Sequence, residues 1–256
     1  MAPKQWMRRW LCICMTTLLL GFVGCATEDH RKDDAVLHLK MGTTLFSNKQ
    51  YPAALKELML AAELDPGNAV VQNNLALTYF VRERYDLAQN HIERALKLDP
   101  KYTEARNNRA RILIERGQYD EAVNEATRVT KDLTYATPIR GWTNIALAHF
   151  RKGDFKSSRV AATEALRIER QNCFAQTILG RSLLELSDFK DAAETLDRAI
   201  LSCEGEEAEE AGYFAGFAQY KLGKASAAIS RLESVVRQNP QGRYTKKAES
   251  LLEIIK

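Results

Sequence analysis

Little in this sequence breaks helices. Six prolines and 13 glycines are spread over 256 residues, and the abundant residues, Leu, Ala, Glu, Arg and Lys, have unbranched side chains that lose little rotamer freedom in a helix. An excess of one charge is also missing. The formal +4 drops to +1 once Lys4, Arg8 and Arg9 are set aside with the leader described below, leaving 34 basic against 33 acidic residues. A nucleic-acid partner, which needs a concentrated basic face to displace counterions from phosphates, is therefore not expected. Reactive constellations are absent as well. His30, His38, His91 and His149 are scattered, and the chain has no HExxH, no CxxC, no glycine-rich phosphate loop and no cysteine at nucleophile spacing from a histidine. Neither an enzyme, nor a metal or other cofactor, nor a small-molecule substrate is expected. The longest apolar run, from Trp10 to Val23, is short of the roughly 20 residues of a spanning helix.

That run is nevertheless informative, because Lys4, Arg8 and Arg9 precede it and Gly24 and Cys25 follow it. Positive charge, then an apolar core, then a small residue is the layout of a secretory signal. With cysteine directly after the small residue it resembles the lipobox of bacterial lipoproteins, although Phe22 stands where leucine is usual. The resemblance implies cleavage after residue 24 and acylation of Cys25, with an uncleaved anchor helix as the alternative. Because Ala26 stands where inner-membrane lipoproteins often carry aspartate, the resemblance implies the outer membrane, and a periplasm-facing lipoprotein there is the expected form, with the cell surface as the alternative. Residues 25–34 read as a polar lipidated tether without periodicity.

From Ala35 the sequence resembles itself about every 34 residues, the period of the tetratricopeptide repeat. Six units, 35–68, 69–102, 103–136, 139–172, 173–206 and 209–242, repeat Gly or Ala at the eighth position, an aromatic at the seventeenth in five of the six, and Ala at the twentieth in most. Small residues let the paired helices approach closely. LDP at 64–66 and 98–100 ends second helices, since proline lacks a donor and clashes with the preceding turn. The expected fold is all-α, a right-handed superhelix of six helix-turn-helix repeats closed by a capping helix at 243–256.

Cys173 and Cys203 stand at the first and thirty-first positions of one unit. Two antiparallel helices return the chain to its starting level, so a disulfide is expected in an oxidising compartment, with two separate buried thiols as the alternative. The twelfth positions of the first helices, Phe46, Phe80, Ile114, Phe150, Leu184 and Tyr220, form an apolar row. With Asn74, Asn108 and Asn144 at the sixth position and Arg111 and Arg181 at the edge, they are candidates for a peptide groove. Scaffold packing accounts for the same residues equally well. The cluster Glu204, Glu206, Glu207, Glu209 and Glu210 reads as favourable charge at a helix start.

Lipobox, mature length and six such repeats together resemble the pilotins of type IV pilus systems, with LALTYF at 75–80 and ALKLDP at 95–100 the segments most like the family's early repeats. The resemblance implies a non-catalytic outer-membrane lipoprotein whose partner is the pilus secretin and whose role is the localisation and multimerisation of that ring. An adaptor for periplasmic cell-wall hydrolases or proteases is the alternative reading.

Overall fold

The computed structural model describes residues 30–256. The leader and Cys25 lie outside the described residues. All regular elements among the described residues are helices, thirteen in number. The chain divides into two compact units between Tyr102 and Thr103, and within each unit successive helices pack on one another.

Unit 1 contains α1 (30–47), α2 (Tyr51–Leu64), α3 (Ala69–Phe80) and α4 (Tyr85–Leu98). Helix α1 takes in residues 30–34, which the sequence pattern assigned to the tether. Unit 2 contains α5 (Thr103–Glu115), α6 (Tyr119–Thr130), α7 (Ile139–Lys152), α8 (Phe155–Ile168), α9 (Cys173–Glu185), α10 (Phe189–Ser202), α11 (Gly205–Lys221), α12 (Ala225–Gln238) and α13 (Thr245–Ile255). Glu207 and Ala208, the two residues between the units 173–206 and 209–242, lie in the first turns of α11. Asn68, Asp154 and Asn172 cap their helices by accepting from backbone N–H groups of the first turn at 3.0 to 3.2 Å.

Every helix pair turns the same way. The fifteenth residue of each repeat has positive φ: Lys49, Glu83 and Ser187 as well as Gly117, Gly153 and Gly223. Its N–H donates to the carbonyl of the twelfth residue, and the next N–H reaches back to the eleventh, as in Gly153 to Phe150 at 3.0 Å and Asp154 to His149 at 2.9 Å. This left-handed C-cap satisfies carbonyls that the helix end leaves unpaired.

The small eighth residue faces the twenty-fourth across the pair. A β-carbon on Gly42, Gly180 or Gly216 would come within 2.4 to 2.8 Å of the Cγ of Leu58, Leu196 or Leu232. Where the eighth residue is Ala76, Ala110 or Ala146, the residue opposite is Ile92, Ala126 or Ala162, all fully buried. Gly therefore goes with Leu, and Ala mostly with Ala, because interior volume is conserved. Helix α13 covers the end of the stack through Ala248, Leu251 and Leu252 against Leu232 and Val235. No helix among the described residues is long and apolar enough to cross a membrane.

Candidate functional site

Within unit 2, α5 packs on α7, α7 on α9 and α9 on α11, whereas the backbones of the second helices α6, α8, α10 and α12 stand farther apart, with Arg231 of α12 reaching Asp197 of α10 at 2.5 Å. The unit bends toward its first helices, and side chains projecting from α7, α9 and α11 converge.

Their centre is Arg181. Its guanidinium carbon lies 4.4 Å from the ring centroid of Phe150 on α7 and 4.8 Å from that of Phe214 on α11. It also donates to Glu210 Oε1 at 2.8 Å. Arginine between two π faces is held by their quadrupoles and by the carboxylate together, and only about a third of its side chain is exposed. Tyr244, which opens α13, stands 5.8 Å from Phe214 and 5.5 Å from Tyr213. Burial and then Glu210 push its hydroxyl up to about 12, and burial raises Tyr213 as well. The group brings together aromatic rings, one guanidinium and one carboxylate, chemistry suited to stacking and hydrogen bonding.

A second charged group lies on α5 and α7. Arg140 donates to Glu104 at 2.6 Å, Tyr135 to the same carboxylate at 2.5 Å, and Arg151 to Glu115 at 2.7 Å. Burial, followed by the nearby Arg140 charge, lowers the pKa of Arg111. The Tyr135 hydroxyl is raised by burial and by Glu104. In unit 1, Asn74 donates to Thr43 Oγ1 at 3.0 Å across α3 and α1.

The expected apolar row is not a continuous surface. Ile114 and Leu184 are buried, and Tyr220 packs into the cluster beneath α13. Phe46, Phe80 and Phe150 are half-buried because each packs on the aromatic at the seventeenth position of its own repeat, Tyr51, Tyr85 and Phe155, at 5.4 to 5.8 Å. The twelfth residue ends the first helix and the seventeenth opens the second, so the left-handed turn between them presses the two rings together. The asparagines need the same correction. Asn108 is buried, and Asn144 donates to the carbonyl and side chain of Asn107 at 3.3 and 2.8 Å. Of the predicted groove residues in unit 2, Phe150 and Arg181 are the two that share a site.

Sequence reasoning missed two partners of Arg181, Phe214 and Glu210. Glu210 passed for helix-start charge, yet it sits at the second position of the next repeat, facing the ninth of this one. Only Glu206 and Glu207 of that cluster occupy the first turn of α11. Glu209 is buried and accepts from Asn239 at 3.1 Å and from the Tyr244 backbone N–H, tying the capping helix to α11. Tyr244 lies beyond the last repeat, where no periodicity marks it.

Cys173 and Cys203 are joined by a disulfide, their Cα atoms 5.0 Å apart. Among the described residues, no group of three or more His, Cys, Asp or Glu is placed to hold a metal ion.

Residues 73–133 and 139–172 match models of the tetratricopeptide repeat. No curated protein matches the chain. PilW, a widely conserved type IV pilus biogenesis factor, has a solved structure that superposes with a TM-score of 0.76 at 19% identity, over 83% of this chain and 97% of its own. PilF of Pseudomonas aeruginosa gives 0.73 at 17% identity, over 86% and 99%. YrrB, a repeat protein with an unusual peptide-binding site, gives 0.55 at 15% identity, over 75% and 97%. At such identities the likeness is one of fold.

Proposed function

Taking the chain as a tetratricopeptide-repeat protein, we propose that it is a non-catalytic lipoprotein that binds the secretin of a type IV pilus system and promotes its outer-membrane localisation and multimer assembly. The observation that carries this reading is the fold likeness to two pilus factors over nearly their whole lengths. The signal-like leader ending in Gly24 and Cys25 supports an acylated, membrane-tethered form. Tethering then does the work: a secretin segment held at the first-helix face stays at the membrane, where the local concentration of subunits is high. The face around Phe150, Arg181 and Phe214 is the part of unit 2 assigned to that segment, because aromatic and arginine anchors dominate protein interfaces.

The test is deletion of the gene followed by electrophoresis of heat-resistant secretin multimers. The reading expects the multimers to be lost or to remain in the inner membrane, and to return with the wild-type gene. Normal multimers at the outer membrane in the deletion strain overturn it.

A further inference from the structure

On the opposite side of unit 2, away from the first-helix face, the second helices stand apart. Between α8 and α10 they leave an open cavity of about 860 Å³. Arg167 and Ile168 from the end of α8, Arg170 from the following loop, Arg198 from α10, and Leu166 and Gln176 line it. The lining contains no carboxylate. Arg167 pairs with Glu164 of its own helix at 2.8 Å, and Arg198 donates to the neutral Thr195 hydroxyl at 3.0 Å, so the wall keeps a net positive charge.

Two further features narrow the ligand. Gln176 is 4% exposed; its Nε2 donates to the Arg170 carbonyl at 3.0 Å and fixes the loop, while its buried Oε1 meets no donor. Aliphatic side chains are exposed on the same two helices: Ile168, which lines the cavity, is 49% exposed, and Leu201, about one helical turn beyond Arg198, is 87% exposed. Both stand at the C-terminal ends of second helices.

Three guanidiniums around a cavity suit a phosphate, which their planar donors bind in a fork. Aliphatic side chains left in water beside it suit hydrocarbon. We propose that this cavity binds the headgroup of an anionic phospholipid and sets this edge of unit 2 against a bilayer, with Ile168 and Leu201 entering the interface. A hydroxyl-bearing headgroup such as phosphoglycerol also supplies the donor that Gln176 Oε1 lacks. An acidic peptide would satisfy the arginines but gives Ile168 and Leu201 no hydrocarbon to enter. The proposal requires neither secretin binding nor acylation at Cys25.

The test is flotation of residues 26–256, which hold all the described helices and lack both the apolar leader and Cys25, with vesicles of phosphatidylcholine alone or mixed with phosphatidylglycerol. Arg167, Arg170 and Arg198 are all exposed, so their glutamine variants should fold normally, as circular dichroism will verify. Partition should favour the phosphatidylglycerol vesicles and fall about fivefold for each Arg→Gln change, on the order of a hundredfold for all three. The Ile168→Ser, Leu201→Ser chain should bind those vesicles more weakly as well. Equal partition to the two lipids, or a triple variant that floats like the parent, overturns the proposal. So does displacement by soluble polyglutamate combined with indifference to the Ile168 and Leu201 changes, which assigns the cavity to acidic peptides.

Discussion

Gly180→Ala puts a methyl group where α9 and α10 cross. Its β-carbon would lie 2.4 Å from Leu196 Cγ, 2.7 Å from Cδ2 and 3.1 Å from Cδ1, whereas carbon atoms rest at about 3.5 to 4.0 Å. The leucine must retreat by about 1 Å, and the clash falls on its branch point, so rotating a terminal methyl does not relieve it. Leu196 is fully buried among Leu183, Ala192, Ala215 and Ala218, which leaves it nowhere to go. Alanine in a helix gains about 0.8 to 1 kcal/mol over glycine, while overpacking a filled core costs about 1 to 3 kcal/mol. The methyl group should lose that contest by about 1 kcal/mol. Leu196→Ala alone should cost about 2 to 5 kcal/mol through the cavity it opens. In the double variant the new methyl group occupies part of that cavity, giving a favourable coupling of about 1 to 2 kcal/mol. Equilibrium urea denaturation of the four proteins reads all of these quantities. A Gly180→Ala protein stabilised by the full propensity gain, or a cycle that is simply additive, refutes the account of why the eighth residue is small.

The fifteenth-position turns predict opposite signs for two exchanges: Gly153→Ala should lose, and Ser187→Gly gain, about 1 kcal/mol, and denaturation midpoints moving in the same direction would contradict the left-handed geometry. Reducing the Cys173 to Cys203 bond, which closes a loop of sequence separation 30, should cost about 3 to 4 kcal/mol on the chain-entropy model, measured as the midpoint shift on adding reductant and its absence in Cys173→Ser, Cys203→Ser. Because Tyr244 titrates at about 12 when folded and near 10 when unfolded, its contribution is fully present below pH 10 and is lost as pH rises through 12. Tyr244→Phe should flatten that alkaline loss, and an ultraviolet absorbance titration showing Tyr244 ionising at its ordinary value would remove the effect. If the secretin is the partner, as proposed, Arg181→Ala should leave helicity intact and weaken its capture at least tenfold; unchanged capture by Arg181→Ala and by Phe150→Ala moves the binding face elsewhere.

The repeats were legible because each depends on short-range rules. Asn68 and Asn172 cap helices, Pro66 and Pro100 follow helix ends, and the pairing of Cys173 with Cys203 comes from the return of two antiparallel helices to one level. The candidate face was legible only in part. Phe150 and Arg181 could be named, but the twelfth-position row could not be separated from turn packing, since Phe46 with Tyr51 and Phe80 with Tyr85 use the same residue types for internal contact. Asn144 looked like a ligand donor and serves Asn107 instead, a contact between residues 37 apart that depends on how neighbouring repeats are rotated.

Composition and periodicity determined that this chain would be helical, that its helices would pair, and where small residues would let them nest, because those outcomes depend on neighbours within about one repeat. Which polar side chains are consumed inside the stack was decided between repeats. The rotation of one pair on the next sets Arg181 between Phe150 and Phe214, buries Glu209 beneath the capping helix, and leaves Arg167, Arg170 and Arg198 around an open cavity. A difference of a few ångströms in that stacking separates a buried hydrogen bond from an exposed one, and no spacing along the chain encodes it.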